Sequence, residues 1–229
     1  MNRTIIISLG GSIIVPSEID IKFLIKFRGI VLNRVKRGDR VVVVTGGGAT
    51  SRKYYEAAKA VAAFSSDDLD RVGIAATRLN AELVRSLFGQ MAFVDVITDP
   101  TKSIKTAKKI IIAAGWKPGR STDYIAVVLA KKLGAREIVN VTNIDFVYTA
   151  NPKKYPSARP IPDLIWNEYL KLIPKKWSPR LSSPFDPVAS RLANLNKITV
   201  RIVNADDTVN LGKAVAGRAF RGTVIHYHV

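Results

Sequence analysis

The stretch Val41-Val42-Val43-Val44-Thr45-Gly46-Gly47-Gly48 decides the fold of this 229-residue chain. Four β-branched residues in succession are typical of an inner strand of a parallel sheet, which is buried on both faces. The three glycines that follow have no Cβ, so the backbone can turn sharply and bring its N–H groups close to a ligand. A helix that begins near Ala49 would point its positive N-terminus at the same place. The stretch therefore predicts a strand, a tight turn and a helix around a phosphate.

Arg52 lies about one helical turn into this predicted helix. From there its guanidinium could reach the phosphate as a two-pronged donor. A plain strand-to-helix turn with an arginine on the surface is the alternative, because a short motif needs confirmation from its context.

A second glycine turn supplies such context. Residues 4–9 form a predicted strand around Ile5-Ile6-Ile7, and it ends in Gly10-Gly11-Ser12. Because all strands of a parallel sheet point their carboxyl ends to the same edge, the two glycine turns should lie together there.

The composition indicates a globular α/β protein, with 47% hydrophobic residues. The chain contains no cysteine, which excludes disulfides, thiolate nucleophiles and cysteine-ligated zinc and fits a reducing compartment. The apolar run Ile5-Ile6-Ile7 is too short for a signal peptide or a membrane span. We expect a cytoplasmic protein without membrane association.

The formal net charge of +18 favours anionic partners. The positive residues fall in scattered clusters, one of which, Lys102, Lys105, Lys108 and Lys109, has near-helical spacing. No helix-turn-helix, zinc-finger or RNA-binding motif accompanies the charge, so nucleic-acid binding is not expected as a main function.

The remaining elements follow from periodicity, caps and breakers. Residues 152–187 contain eight prolines, and we expect irregular chain there, acting as a mobile lid, with one short helix at 164–172. His226 and His228 would share a face of the last strand, but no third ligand for a metal accompanies them. Further helices are predicted at 19–36, 54–64, 123–133, 186–194 and 208–215. Another helix is predicted to begin at the N-cap residues 65–68 and to end at 87. Further strands are predicted at 92–98, 109–113, 137–141 and 198–203, with an edge strand at 223–227.

Polar residues line one predicted helix where a core-facing helix should be apolar. They suggest that one face of this helix looks into a cleft, and an exposed face with ion pairs is the alternative for Arg71 and Arg78. The residues are Asp70, Arg71, Gly73, Thr77, Arg78 and Asn80.

A third glycine turn, in residues 114–123, precedes a helix with Ser121, Thr122 and Asp123 at its start. Such a carboxylate is usually a cap, and the functional alternative is an Asp that orients a phosphate-bound metal or a catalytic cation. A fourth strand leads into a polar loop with an aromatic residue at 142–153.

Taken in order, these motifs resemble the amino-acid kinase superfamily along the whole chain, and within it the uridylate kinases of the archaeal type. No GxxxxGK[ST] or strand-linked GxGxxG motif competes with this resemblance. The motifs are Leu9-Gly10-Gly11-Ser12, Thr45-Gly46-Gly47-Gly48 with Arg52, Asp70-Arg71-Val72-Gly73, Pro118-Gly119-Arg120-Ser121-Thr122-Asp123, Thr142-Asn143-Ile144-Asp145 with Tyr148 and Pro152, and Asp186-Pro187.

The resemblance implies a three-layer αβα sandwich around a central, mostly parallel sheet, as in carbamate kinase. It implies a single domain over 1–229, with an acceptor lobe at 1–113 and an ATP-binding lobe at 114–229. ATP, Mg²⁺ and UMP would be bound, and the family usually forms homohexamers. The implied reaction is phosphoryl transfer from ATP to UMP in pyrimidine nucleotide synthesis.

The resemblance also assigns residues to roles. The transferred phosphoryl group would meet Gly10, Gly11 and Ser12, with Asp123 organising the catalytic charge. UMP would contact Gly47, Gly48, Arg52, Asp70 and Thr122. ATP would contact Gly11, Thr142, Asn143, Tyr148, Lys153 and Asp186. No protein ligand is assigned to a metal.

Three residues depart from the family pattern. A strand-1 lysine of many members is Ser8 here, so Lys117 or Arg120 would have to supply the transition-state cation. Phe146 replaces a glycine and Asn151 an aspartate near the expected ATP site. Relatives that phosphorylate isopentenyl phosphate usually have a histidine near the second glycine turn, and relatives that act on carboxylates lack the arginine. The loop after Gly48 has Arg52 and no histidine, so the resemblance favours UMP as the acceptor. A non-catalytic nucleotide-binding sensor or storage protein, and a kinase of another phosphate-bearing acceptor, remain alternatives.

Overall fold

The computed structural model describes residues 3–174 and 183–227. Helices and strands alternate along most of the chain. The strands are β1 (Thr4–Leu9), β2 (Arg40–Thr45), β3 (Ile110–Ala113), β4 (Glu137–Thr142), β5 (Val147–Tyr148), β6 (Pro160–Ile161), β7 (Asp163–Ile165), β8 (Thr199–Asn204) and β9 (Thr223–His226). The helices are α1 (Gly11–Ile14), α2 (Ile21–Lys36), α3 (Gly48–Val61), α4 (Ser66–Ser86), α5 (Thr122–Lys132), α6 (Trp166–Leu172), α7 (Pro187–Leu195) and α8 (Thr208–Val215).

Seven strands form one sheet in the order β3-β2-β1-β4-β8-β9-β7. The first five run parallel, and β9 is antiparallel to β8. This arrangement confirms the mostly parallel sheet. The four valines of β2 are fully buried between β1 and β3, as the sequence predicts.

Each inner strand contributes side chains to two hydrophobic layers, because successive side chains point to opposite faces of a sheet. On one face, Ile5 and Ile7 of β1 pack in a cluster with Phe27 of α2. On the other face, Ile6 belongs to a cluster with Leu129 of α5. The result is the expected αβα sandwich.

Two predicted strands differ from the structure. Residues 92–98 form no strand: they pair with β3 at the isolated bridges Ala92–Ile110 and Ile97–Ala113, with backbone hydrogen bonds beside each bridge. Between these bridges Val94 is 70% exposed and Asp95 also faces solvent, so the ladder is interrupted. The predicted edge strand β9 is an interior strand, because β7 pairs with its free side.

The lysine-rich segment before β3 is also not helical: residues 103–108 have no regular structure. The proline-rich region is more ordered than expected, since β5 pairs with β6 and α6 follows β7. Residues 175–182 of the predicted lid and His228 lie outside the described residues. His226 Nε2 lies 2.9 Å from Asp163 Oδ1. No helix in 3–174 or 183–227 is long and apolar enough to cross a membrane.

Candidate active site

The carboxyl ends of the parallel strands open into a cavity of about 660 Å³, which we call the first cavity. It brings together most of the predicted site residues from distant parts of the chain. These are Gly11, Ser12, Gly47, Gly48, Arg52, Asp70, Lys117, Arg120, Thr122, Asp123 and Asp186.

The two glycine turns of the cavity, after β1 and β2, pack backbone against backbone. A Cβ on Gly11 would lie 2.1 Å from Gly48 N, and one on Gly46 would lie 2.4 Å from Gly11 N. Gly48 adopts a φ of +62°, in the left-handed region that favours glycine. The turns are therefore adjacent, as the parallel sheet predicts, and no larger residue fits between them.

Helix α3 begins at Gly48, next to the predicted start near Ala49, and continues into the helix predicted at 54–64, so Arg52 lies one turn in. Arg52 Nη2 donates to Pro16 O at 2.7 Å, so the side chain reaches across to the segment after α1. A guanidinium has five N–H donors, and the remaining ones are available to an anion.

Helix α4 holds the glycine turns through buried polar side chains. Asn80 Nδ2 donates to Gly46 O at 2.8 Å and to Gly47 O at 3.1 Å. The Thr77 hydroxyl accepts from Gly115 N at 2.8 Å. Thr77 also lines the first cavity with Asp70, which confirms that one face of this helix looks into a cleft.

Arg71 and Arg78 of α4 lie outside this face. Arg71 is exposed and close enough to Asp68 to help lower the pKa of that carboxyl, after the larger effect of Ser65. Arg78 is exposed and donates to Gly115 O at 3.3 Å and to Trp116 O at 3.2 Å. It therefore supports the third glycine turn.

We predict that Asn80→Ala lowers the free energy of unfolding by about 2–3 kcal/mol, because the buried Gly46 carbonyl and the partly buried Gly47 carbonyl lose their side-chain donor. Urea denaturation measures the change. The exposed Asn33, which accepts from Arg37 Nε, gives the matched control Asn33→Ala, with an expected change within about 0.5 kcal/mol. Equal effects of the two substitutions would contradict the role of Asn80.

Asp123 stands at the start of α5 but is not its cap. Ser121 caps the helix by accepting from Tyr124 N at 3.1 Å. Asp123 Oδ1 instead accepts from the Ser8 hydroxyl at 2.8 Å, and its Oδ2 accepts from Asp186 N at 3.1 Å. The simple capping interpretation of Asp123 is therefore wrong.

Asp186 lies beside Asp123 and caps α7, with its Oδ1 accepting from Ala189 N at 2.7 Å. Its side chain is buried, and Oδ2 has no hydrogen-bond partner among the described residues. Burial raises the pKa of Asp186, against the lowering effect of the α7 amides, Ser121 and Arg191.

The pKa of Asp123 is raised to about 6, first by burial and then by the charge of Asp186. Hydrogen bonds from Ser8 and from the Asp186 amide oppose this shift. Burial therefore disfavours the ionised form of both carboxyls, in a site that lies next to the glycine turns.

A second cavity, of about 650 Å³, lies on the other side of Ser12 and Arg52, and both residues line both cavities. Of the residues predicted to bind ATP, Asn143 lines this second cavity. The cavity is lined by Ser12, Ile13, Pro16, Asp20, Lys22, Phe23, Lys26, Arg52, Asn143, Ala205, Asp206 and Thr208.

Of the other predicted ATP residues, Gly11 and Asp186 line the first cavity, and three line neither cavity. Thr142 ends β4, Tyr148 lies in β5, and Lys153 is exposed. Gly10 is also outside both cavities, and its N–H donates to Val141 O at 2.9 Å, which ties β1 to β4.

Phe146 packs edge-on against Tyr148, with ring centroids 6.4 Å apart. The guanidinium of Arg221 lies 5.9 Å from the centre of the Phe146 ring and its Nη2 is 2.9 Å from Asp145 Oδ2. Phe146, at the position where the family pattern has glycine, thus belongs to a cluster of aromatic and charged side chains after β4.

The sequence pattern of the amino acid kinase family matches residues 3–204. The chain belongs to the amino acid kinase family. A uridylate kinase of Pyrococcus abyssi is 32% identical over 226 residues, covering 96% of this chain and 98% of the relative. One of Methanospirillum hungatei is 34% identical and covers 97% and 94%.

Solved structures agree with this assignment. The crystal structure of a uridylate kinase from Archaeoglobus fulgidus has a TM-score of 0.80 and 31% identity, covering 96% of this chain and 99% of that one. A UMP kinase from Bacillus anthracis, at 19% identity and a TM-score of 0.76, shares the fold.

Some residues that line the two cavities of this amino acid kinase were not predicted from the sequence. Ser51 and Tyr55 of α3 line the first cavity beside Arg52. Lys22 and Lys26 of α2 line the second. The two lysines are four residues apart, which puts them on one face of the helix, and this spacing could have indicated a shared anion-binding role.

The raised pKa of Asp123 predicts a pH-dependent stability for this amino acid kinase. Because the folded state holds this proton more tightly than the unfolded chain, stability falls as pH rises from about 4 to about 6 and stays lower above that. The loss is at most about 3 kcal/mol, since one pKa unit corresponds to 1.36 kcal/mol.

Urea denaturation between pH 4 and pH 8, in a chelator, tests this expectation by comparing the chain with its Asp123→Asn variant. The variant should lack this component of the pH dependence. Identical pH profiles of the two proteins would contradict the assignment to Asp123.

Proposed function

We propose that this amino acid kinase transfers the γ-phosphoryl group of ATP to the phosphate of UMP, giving UDP and ADP, in pyrimidine nucleotide synthesis. The observation that carries the proposal is that two cavities meet at Ser12 and Arg52, between stacked glycine turns. Phosphoryl transfer requires two anions held in line by cations and backbone amides. The uridylate kinases to which the chain is similar over its whole length support the choice of acceptor.

UMP occupies the first cavity in this proposal. Its phosphate lies against Gly47, Gly48 and Arg52, where the N-terminus of α3 favours negative charge. Asp70 and Thr122 contact the nucleoside side. A phosphate oxygen of UMP forms the new bond to the γ-phosphorus, and the bond from that phosphorus to the bridging oxygen of ADP breaks.

ATP occupies the second cavity, with its γ-phosphate at Gly11 and Ser12. Lys22 and Lys26 on α2 hold the remaining phosphates, together with Asn143 after β4. Lys117 and Arg120 line the first cavity and are the candidates for the transition-state cation. They lie over the rings of Trp116 and Tyr124, at 4.1 and 4.7 Å from the ring centres. Mg²⁺ bound with ATP would neutralise part of the phosphate charge.

The division into an acceptor lobe at 1–113 and an ATP lobe at 114–229 fits this proposal in part. Residues of the later half also line the first cavity, so this half contributes to both nucleotides. They are Gly115, Lys117, Arg120, Ser121, Thr122, Asp123, Ser183 and Asp186. Both halves share one continuous sheet with β1 near its middle.

The test is a coupled assay of ADP release from Mg-ATP, run with UMP, CMP, AMP and isopentenyl phosphate. Turnover that depends on UMP supports the proposal. Turnover with a different acceptor only would assign another kinase activity, and no turnover from a folded protein that binds UMP would favour a sensor. Ser8, buried in place of a lysine beside Asp123, is the observation that motivates the sensor as second candidate.

A homo-oligomer is part of the proposal. Helix α2 exposes Ile21 and Ile25, at 66% and 67%, on a solvent-facing side. Exposed apolar groups of this kind are covered at subunit interfaces. Light scattering after size exclusion should give a mass of six chains, and a monomer would contradict the hexamer.

A further inference from the structure

Positive side chains gather at the end of the sheet that lies opposite the two cavities. The turns that lead into the parallel strands all lie at this amino edge, which the length of β1 and β2 places about 20 Å from the carboxyl edge. Clusters of positive charge that are separate in the sequence therefore meet here. We call their exposed members the amino-edge surface. It consists of Arg3, Lys36, Arg37, Lys109, Arg136 and Arg218.

Three members of this surface follow the starts of neighbouring strands. Arg40 N donates to Arg3 O at 2.9 Å, and Val41 N donates to Lys109 O at 2.7 Å, which joins the starts of β1, β2 and β3. Arg3 and Arg136 line one cavity of about 460 Å³ at the starts of β1 and β4. Positive charge therefore extends across the four strands β3-β2-β1-β4, over about 14 Å.

A group of arginines continues this surface between α2 and α8. Arg34, Arg37 and Arg218 line a cavity of about 260 Å³ there. Arg3 connects this cavity to the strand starts, because its Nη2 donates at 3.2 Å to the carbonyl of Val215, the last residue of α8. A concave surface lined by guanidinium groups is well matched to phosphate, since each planar fork can donate to two phosphate oxygens.

The acidic side chains among the described residues at this edge are already paired. Asp39 is buried, and its Oδ2 accepts from Arg34 Nε at 2.8 Å. Glu137 Oε1 lies 3.0 Å from Arg201 Nη2. Neither carboxylate pairs with a member of the amino-edge surface, so its positive charge is not neutralised from within the chain.

Four members of the surface have side chains without a hydrogen bond or an ion pair in residues 3–174 and 183–227. The helix dipole favours a cation at the end of α2, but it does not account for Lys109 and Arg136, which precede strands. Exposed charge of one sign creates a positive field that attracts a polyanion. The four residues are Lys36, Lys109, Arg136 and Arg218.

We propose that the amino-edge surface binds the phosphate backbone of a nucleic acid. The inference goes beyond the proposed phosphoryl transfer and is independent of it. Because no base-reading motif accompanies the charge, the contacts are to phosphate and carry no sequence preference. The formal net charge of +18 acts in the same direction by raising the local concentration of a polyanion.

The composition of the surface favours a nucleic acid over a membrane. Helices that bind a bilayer surface combine cations with large apolar side chains that enter the lipid. The exposed Ile21 and Ile25 of α2 lie at the opposite end of that helix from Lys36 and Arg37, so they provide no anchor beside these cations.

Fluorescence anisotropy with the full chain tests the proposal. The probes are a labelled single-stranded RNA of about 20 nucleotides and the matching RNA duplex. We expect both to bind, with a Kd of about 10⁻⁶ M at about 50 mM salt. If six phosphates are neutralised, the slope of log K against log salt for the single strand should be about −4.

The variant that tests the surface combines Arg37→Ala with Arg218→Ala. It should weaken RNA binding by about ten-fold or more at about 50 mM salt, because two phosphate contacts are lost. The matched control combines Lys22→Ala with Lys26→Ala, which removes the same charge at the other end of α2, in the second cavity. Its RNA binding should stay within about two-fold of that of the unaltered chain, since these lysines lie outside the amino-edge surface. Thermal melting confirms that each variant is folded.

No RNA binding by the unaltered chain, or equal weakening in the two double variants, would overturn the proposal. Binding to vesicles of equal parts phosphatidylserine and phosphatidylcholine, without binding to RNA, would also overturn it and assign a membrane surface. The UMP-dependent assay is separate from these measurements. RNA binding lost in the Arg37 and Arg218 variant of a chain that does not phosphorylate UMP would support the surface and reject the proposed function. UMP turnover without RNA binding would do the reverse.

Discussion

Gly11→Ala is expected to remove UMP-dependent turnover and to lower the free energy of unfolding by more than about 4 kcal/mol, because the added Cβ overpacks a buried backbone contact. The new Cβ would lie 2.1 Å from Gly48 N and 2.5 Å from Gly47 N. Those neighbours are backbone atoms of the other glycine turn, so they cannot move aside without displacing the start of α3. Urea denaturation and the coupled assay measure the two effects.

Gly29→Ala is the matched control for this prediction. Gly29 lies inside α2, and an added Cβ there meets nothing within 4 Å. Because glycine in a helix interior costs about 0.5–1 kcal/mol relative to alanine, this variant should be slightly more stable and fully active. A Gly11→Ala protein that stayed as stable as Gly29→Ala would show that the glycine turns are not in contact.

Arg52→Ala is expected to reduce kcat/KM by about 10²–10³-fold, with losses for both UMP and ATP, because Arg52 is the charged residue that lines both cavities. Arg52→Lys should recover little of this loss, since an ammonium cannot reproduce the planar fork of a guanidinium. Steady-state kinetics with each nucleotide varied in turn separates the two effects.

The neighbouring Lys53→Ala gives the control for Arg52. Lys53 is an exposed residue paired with Glu18, with Nζ 2.8 Å from Oε1. Its removal should leave kcat/KM within about two-fold, because surface ion pairs contribute little. A loss confined to one nucleotide in Arg52→Ala would contradict the placement of Arg52 between two phosphates.

The fold could be predicted closely from local patterns. Four buried valines and two glycine turns indicate a parallel sheet with its ligand at one edge, and the structure has that arrangement. The interior place of β9 could not be predicted, because it depends on β7, a three-residue strand within a proline-rich segment. Pairing between distant short segments leaves no periodic signal in either of them.

The site was predictable where it is made of local motifs. Arg52, Asp70 and Asp123 each follow a recognisable turn or cap, and the structure brings them to one cavity. The contact between Asp123 and Asp186 joins residues 63 positions apart, so no spacing rule could suggest it. Tyr148 and Lys153 lie outside both cavities, because the chain after β4 turns into the β5–β6 pair.

The stacked glycine turns also determine which positions could be varied to change the acceptor. Their contacts involve backbone atoms alone, so any side chain added at Gly11, Gly46 or Gly48 collides with the opposite turn. A variant library aimed at a new phosphate-bearing acceptor should therefore keep these glycines fixed. Diversity belongs at cavity positions that present side chains on the acceptor side, namely Ser51, Asp70 and Thr122.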